Sequence, residues 1–237
     1  MKVIAWNCNM AFRKKAPAIL AHAPDILVVP ECEHPDKLLF AAGVPRPTDS
    51  LWFGDNLNKG LGVFSYSGYR FRTLDTHRPE LKTIVPIAVT GGGGDFTLFA
   101  VWANNPADRD GPYITQVWKA LAHYGDAIGA GPTILAGDFN SNSIWDRPRR
   151  EGNHSTVVAR LESKGIGSVY HRHFDQQQGR EQHPTHYLYR HAHRPYHLDY
   201  CFASADLLAR LRSVEVGDHD TWSPYSDHMP LVATFDL

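Results

Sequence analysis

The stretch LAGDFNSN, residues 135–142, closes an apolar run, Thr133-Ile134-Leu135-Ala136, and then turns abruptly polar. Strand side chains alternate between faces with a period of two. Asp138 and Asn140 are therefore expected to point one way, with Phe139 turned back into a core. Gly137 lets the backbone bend or pass close to a neighbour. Gly, Asp, Asn and Ser are also the commonest turn residues. Alone, the stretch fits a plain turn as well as a presented carboxylate and carboxamide, so the rest of the chain decides.

Apolar runs of similar length recur from end to end: 2–8 (KVIAWNC), 25–31 (DILVVPE), 60–66 (GLGVFSY), 83–90 (TIVPIAVT), 96–103 (FTLFAVWA), 132–138 (PTILAGD), 196–203 (YHLDYCFA) and 230–237 (PLVATFDL). Their Val, Ile, Phe and Tyr content and turn-residue flanks read as strands. Helical patterns are fewer. They cover 13–23, with Pro17 expected in the first turn, and 35–43, which opens on Pro35 and stops at Gly43. Two more cover 113–128 and 155–165, the latter capped by Ser155 or Thr156 and closed by Gly165. The tract Gly91-Gly92-Gly93-Gly94-Asp95 reads as a hairpin loop. Strands scattered among fewer helices, with no linker or composition break, suit an α/β fold. The expectation is one domain over 1–237, with two packed sheets and helices on their outer faces.

The 237 residues carry a net charge of -1, so a strongly basic nucleic-acid footprint is absent and any phosphate-binding surface is local. The three cysteines, Cys8, Cys32 and Cys201, each lie in an apolar run. An odd number so placed argues against a disulfide framework and suits a reducing compartment. No apolar run approaches the roughly 20 residues a membrane helix needs, and the first ten residues are too polar for a signal peptide. The reading is a cytoplasmic protein, monomeric, with no membrane partner.

Polar groups end or interrupt apolar strands in four further places: Asn7 after Trp6, Glu31 after Pro30, Asp199 inside HLDYCF, and Asp227-His228 before the last run. Each alone has an ordinary reading, as a backbone hydrogen-bonding group or a surface charge. Together they are harder to dismiss, because a lone buried charge is costly. Glu31, Asp138, Asn7 and Asn140 are hard oxygen ligands that match Mg²⁺ or Mn²⁺. Asp199 beside His228 would orient an imidazole and fix its tautomer. With no activated Ser or Cys evident, the nucleophile would be water, and the set describes hydrolysis of a phosphate ester.

In order and approximate spacing, WN (6–7), PE (30–31), GDFN (137–140), LDY (198–200) and SDH (226–228) resemble the endonuclease/exonuclease/phosphatase superfamily, which includes deoxyribonuclease I and exonuclease III-type enzymes. The resemblance implies a four-layer α/β/β/α sandwich of two mostly antiparallel sheets. It implies Glu31 as the main metal ligand with Asn7 beside it, and Asp227 helping to hold the metal directly or through water. Asp138 would orient or deprotonate the attacking water, Asn140 would contact the scissile phosphate, and His228, supported by Asp199, would stabilise its developing charge. Two departures stand out. Pro30 replaces the Gln common in relatives, which should stiffen the strand end. Trp102, with Asn104 and Asn105 after it, stands where many relatives carry His or Tyr. Trp102 can stack or donate one hydrogen bond, and Asn104 would supply the phosphate contact.

Basic clusters at 12–15, 69–72 and 145–150 (WDRPRR) are local, and the last follows GDFNSN directly. Arg147, Arg149 and Arg150, with interleaved aromatic residues such as Trp52, Phe53, Trp102, Trp145, Trp222 and Tyr225, resemble the means by which phosphates and splayed bases are held. Solvated loop charge explains each cluster equally well. Seven of the 14 histidines crowd into 171–197, read as a loop and hairpin over the site, binding phosphates or simply solvated. The favoured function is Mg²⁺- or Mn²⁺-dependent hydrolysis of nucleic acid, DNA before RNA, by an endonuclease or exonuclease. The alternatives are a small-molecule, lipid or inositol-phosphate phosphoesterase on the same fold, and a non-catalytic binding module.

Overall fold

Val3 and Ala5 point into one core while Ile4 and Trp6 point into another, and every one of the four is buried. Such a strand needs cover on both faces, which dictates a layered structure. The computed structural model describes residues 1–81, 84–104 and 113–237. Its elements are β1 (Lys2–Ala5), α1 (Phe12–Leu20), β2 (Ile26–Cys32), β3 (Asp49–Asn56), β4 (Lys59–Ser65), β5 (Tyr69–Thr73), β6 (Ile84–Gly91), β7 (Phe96–Trp102), α2 (Ile114–His123) and β8 (Thr133–Asp138). They continue with α3 (His154–Glu162), β9 (Ile166–Ser168), α4 (Val169–Phe174), β10 (His186–Tyr187), β11 (Pro195–Tyr196), β12 (Asp199–Ser204), α5 (Ala205–Leu208), β13 (Leu211–Val216), α6 (His219–Trp222) and β14 (Leu231–Phe235).

One six-stranded sheet has the order β13-β14-β1-β2-β4-β3 and the other β5-β6-β7-β8-β12-β9. Each is antiparallel except for one parallel pair, β1 with β2 and β7 with β8. Each parallel pair is joined across a helix, α1 or α2, as parallel neighbours require. Val28, Val63, Ile87, Leu98, Ala136 and Ala203 fill the space between the sheets. Phe12, Ala16 and Ile19 of α1 cover the outer face of the first sheet, and Val117, Leu121, Val157 and Leu161 of α2 and α3 cover that of the second. The result is the expected four-layer α/β/β/α sandwich. Among the described residues no helix is long and apolar enough to cross a membrane. All three cysteines are free and buried.

Several local expectations need correction. Residues 35–43 form only a 3₁₀ turn at Pro35–Lys37. Leu38 and Phe40 are buried while Leu39 is exposed, an alternation that no helix provides. Helix α1 starts early enough to put Pro17 in its second turn. Its start is fixed from elsewhere in the chain: buried Glu33 accepts from the amides of Phe12 and Arg13 and pairs with the Arg13 guanidinium at 2.7 Å. Helix α3 starts at His154 rather than at 155–156, because Asp146 accepts from the amides of His154 and Ser155 at 2.8 and 3.0 Å. The tetraglycine tract does join antiparallel neighbours, β6 and β7.

Gly137 lies in β8 at φ 141°, and a Cβ there would meet the Val101 carbonyl oxygen at 1.8 Å. That contact is between backbones of neighbouring strands and leaves no side chain free to yield. Gly137→Ala should therefore destabilise the fold by roughly 3 kcal/mol or more. A thermal unfolding midpoint equal to that of the parent would refute this account of the β7–β8 approach.

Candidate active site

The site is built where the ends of β1, β2, β7 and β8 meet the start of β12 and the segment before β14. At the end of β8, Asp138 is fully buried and pairs in register with Trp102 and Asp199. Asn140 follows in a left-handed conformation, φ 46°, and turns back on it. Its amide donates to Asp138 Oδ1 at 2.8 Å and its Nδ2 donates to Oδ2 at 3.0 Å and to the Ala103 carbonyl at 3.1 Å. GDFN is thus a turn and a presented pair of side chains at once, and buried Phe139 returns to the core. From the opposite sheet, Asn7 Nδ2 donates to Asp138 Oδ2 at 3.0 Å and lies 3.4 Å from Glu31 Oε1.

Glu31 occupies a bulge in β2, with φ 61°, between Pro30 paired to Leu61 and Cys32 paired to Gly60. A bulge re-aims the side chain out of the ladder. Pro30 still accepts from the Cys8 amide at 3.1 Å. Beside the bulge, the Lys59 ammonium lies 3.2 Å from Glu31 Oε1 and 5.5 Å from the Trp102 ring centroid. Trp102 itself is buried in the inter-sheet core, so Lys59 is the more exposed group of the pair.

The segment before β14 is stitched to β1. Ser226 Oγ donates to the Asn7 carbonyl at 2.7 Å, the Trp6 indole donates to the His228 carbonyl at 2.9 Å, and Asn9 Nδ2 donates to Asp227 Oδ1 at 2.9 Å. His228 Nδ1 lies 2.8 Å from Asp199 Oδ2, so the two are hydrogen-bonded as expected, with Nε2 4.0 Å from Asp138 Oδ2. Their strands are not neighbours in one sheet, however: β12 belongs to one sheet and β14 to the other. Thr185 joins them, its hydroxyl accepting from the amides of Leu198 and Asp199 and its carbonyl from Met229.

The match to the model of the Endonuclease/Exonuclease/phosphatase family extends over residues 4–228, from β1 to His228. The chain belongs to this family. No curated protein sequence matches it. Among solved structures, a 3'-5' exonuclease from Neisseria meningitidis is similar at TM-score 0.74 and 23% identity, each chain covered in full. A Neisseria 3' phosphatase bound to a product DNA hairpin follows at 0.71 and 22%, and an AP endonuclease from Archaeoglobus fulgidus at 0.70 and 18%, again over the whole of both chains. At these identities the likeness is one of fold. Membership of the family makes the chain a phosphoesterase.

The family's motif residues are brought together here: Asn7, Glu31, Asp138, Asn140, Asp199, Asp227 and His228 form one connected set. Asn104 is half-buried, just beyond the Ala103 carbonyl that Asn140 holds; Asn105 lies outside the described residues. The arginines of 145–150 run differently. Arg147 and Arg149 are exposed, while Arg150 Nη2 donates to Thr115 Oγ1 in the first turn of α2 at 2.8 Å. They line an open cleft against Trp118. Sequence reading missed Lys59, Asn9 and Thr185, which carry no motif signal, and it gave Ser226 no role beyond its place in SDH. It named His186 only as one of the crowded histidines. His186 Nε2 lies 3.7 Å from Asp227 Oδ2, and its ring packs on that of His228 at 4.5 Å.

A crowd of carboxylates with so few cations invites a metal ion. Asp199 Oδ1 is buried with no hydrogen-bond partner, and His186-Asp227-His228 and Asp138-Asp199-His228 each bring three ligand atoms close together. The carboxylates Glu31, Asp138, Asp199 and Asp227 fit a hard divalent cation, whereas His186-Asp227-His228 offers two imidazole nitrogens to one carboxylate.

Burial raises the Asp138 pKa to about 7, with the His228 charge opposing the rise and Asp199 adding to it. Burial pulls on His228 in the other direction, but Asp199 and Asp138 outweigh it and carry its pKa up to about 10. Burial would raise Asp227, yet His186, 3.7 Å away, and the charge of His228 hold it well below the usual carboxylate range. Asp199→Asn should bring the His228 titration down by at least about one pH unit. An NMR pH titration of the imidazole checks this, and an unmoved midpoint would assign the shift to another cause.

The histidine-rich segment does form a hairpin, β10 with β11, but much of it is not solvated. His154 bridges Ser141 Oγ and Gln178 Oε1 at 2.8 and 3.0 Å, and His171 lies 3.0 Å from Glu181 Oε1. Asn142 Nδ2 donates to Glu181 and to the His197 carbonyl, both at 3.1 Å. These bonds tie the segment to the end of β8. Burial pulls the His197 pKa down to about 4. The unfolded chain, with an ordinary histidine near 6.5, therefore binds this proton more readily than the folded one. The stability contribution is present above about pH 6.5 and is lost as pH falls through 4. It amounts to at most about 1.4 kcal/mol per pH unit. Urea unfolding at pH 7 and pH 5 should show the loss, and His197→Phe should flatten it.

Proposed function

We propose that this chain is a divalent-cation-dependent phosphodiester hydrolase acting on DNA, as a single domain. One observation carries the reading: Asn7 from one sheet and Asp138, Asn140 and Asp199 from the other converge with His228 on one point at the end of the sandwich. Asp138, with a pKa near neutrality, is suited to orient an attacking water and take its proton. His228 holds its charge through Asp199 and offers Nε2–H to the developing charge on the phosphate. Asn104 adds an amide donor at the scissile group, and Asn140, whose Nδ2 is bonded to Asp138 and the Ala103 carbonyl, would contact the phosphate by exchanging one of those bonds. Glu31, Asn7 and Asp227 would hold Mg²⁺ or Mn²⁺, which when bound neutralises phosphate charge and acidifies water. Arg147, Arg149 and Arg150 would grip flanking phosphates, and Lys59 over Trp102 would present a further cation. That the similar structures include a named exonuclease and one holding a DNA hairpin supports DNA as substrate.

The test offers single-stranded and duplex DNA, RNA of the same sequence, a small phosphodiester and an inositol phosphate, each with Mg²⁺, Mn²⁺ or a chelator. Metal-dependent cleavage of DNA is expected. Turnover of the small esters with every polynucleotide left intact would replace this reading with the small-molecule one. Glu31→Gln should cut turnover about 100-fold or more and weaken Mn²⁺ binding in a calorimetric titration. Unchanged binding would remove Glu31 from the cation site. Replacing Arg147, Arg149 and Arg150 with Ala should raise KM on DNA and flatten its salt dependence by about one counterion for each arginine that grips a phosphate. An unchanged salt slope would return these arginines to plain surface charge.

A further inference from the structure

His228 is one end of a row of rings that leads out of the site. Its ring centroid lies 4.5 Å from that of His186. His186 lies 6.2 Å from Tyr196 at an interplanar angle of 32°, and Tyr196 lies 5.1 Å from Trp145 at 43°. Exposure rises along the row, from 5% at His228 and 9% at His186, through half-buried Tyr196, to 47% at Trp145. The order is built in. His186 and Tyr196 are paired in register across β10 and β11, and Trp145 ends the 3₁₀ turn Ser143–Trp145 that follows GDFN.

The turn that presents Trp145 is held firmly. Asn142 Oδ1 accepts from the Ile144 amide at 3.1 Å, while its Nδ2 is bonded to Glu181, the His197 carbonyl and the Tyr200 hydroxyl. A large ring half-exposed on an anchored turn, beside Ile144 at 57% exposure, retains apolar surface for something else to cover. Exposed Arg147 and Arg149 follow closely in the chain and favour a polyanion over an uncharged apolar surface. The combination of flat rings, flanking cations and an origin at the phosphate-handling histidine matches a polynucleotide strand with its bases unpaired.

We infer that Trp145, Tyr196 and His186 form a base-stacking platform that receives unpaired nucleobases next to the scissile phosphate, directing the enzyme to single-stranded or frayed ends. The inference rests on the proposed phosphodiester-hydrolase reading. A base in an intact duplex keeps both faces stacked on its neighbours, so only an unpaired base can lie on these rings. Tyr196 and Trp145 would take the bases, and His186, enclosed beside Asp227, would bound the inner end of the row.

The experiment measures binding of oligonucleotides carrying 2-aminopurine at successive positions, in chelator so that no cleavage occurs. The parent protein should quench the fluorophore at one or two positions of a single strand. Trp145→Ala and Tyr196→Ala should each weaken single-strand binding about 5- to 100-fold, the loss of one stacked base. Trp145→Phe should restore most of it, and duplex binding should move much less. An abasic spacer at the quenched position should erase the difference between parent and variant, which reads the interaction from the substrate side whatever the variants' stability. Equal single-strand affinity in parent and both Ala variants, or equal losses on duplex and single strand, would overturn the platform. If the parent cleaves DNA while the variants bind normally, only this inference falls. If the parent cleaves no polynucleotide, the functional reading falls with it.

Discussion

The hydrogen bond from Asn7 to Asp138 joins the two sheets at the point where burial is most costly. A carboxylate with no solvent exposure must be surrounded by donors or give up its charge. Asp138 has Asn7 from the first sheet, the amide and side chain of Asn140 behind it, and His228 at 4.0 Å. Supplying those donors fixes how far the sheets slide past each other. It also requires Asn140 to turn left-handed and Gly137 to let β7 approach. The observed packing puts the end of β1 opposite the end of β8.

The same economy governs the segment from Thr185 to Tyr187. Its backbone reaches Asp227 and Met229 on one side, and the Thr185 hydroxyl reaches the start of β12 on the other. Asp199 and His228 meet because this short piece clamps together strands from different sheets. Their hydrogen bond, with Asp199 Oδ1 left unpartnered, holds a charge ready in a region otherwise dominated by carboxylates.

How far the sequence could be read followed burial. The eight runs recognised as strands became β1, β2, β4, β6, β7, β8, β12 and β14, the interior strands of both sheets. The four overlooked, β3, β5, β9 and β13, are the four sheet edges. An edge strand has one neighbour and a wet flank, so its residues need not be apolar: β13 buries only Val214, and exposed Arg70 and Arg72 alternate with more covered residues in β5. The site divided along similar lines. Carboxylates and carboxamides that interrupt apolar strands were conspicuous. Lys59 and Thr185 lie in surroundings that look ordinary until the chain is folded. Glu33, two residues past Glu31, carried no signal of its own, yet it caps a helix whose sequence carries no cap.

The cysteines have a practical consequence for anyone handling this protein. Burial pushes the Cys201 thiol up to about 12 and raises Cys8 and Cys32 well above their ordinary range, so almost no thiolate forms near neutrality. Alkylating reagents and mild oxidants attack the thiolate and need access to it. The folded molecule therefore behaves towards maleimides as though it had no cysteine. A single cysteine introduced at an exposed position, Leu57 on the β3–β4 turn for instance, would be the one point of attachment for a fluorophore or spin label, with the native thiols left in place.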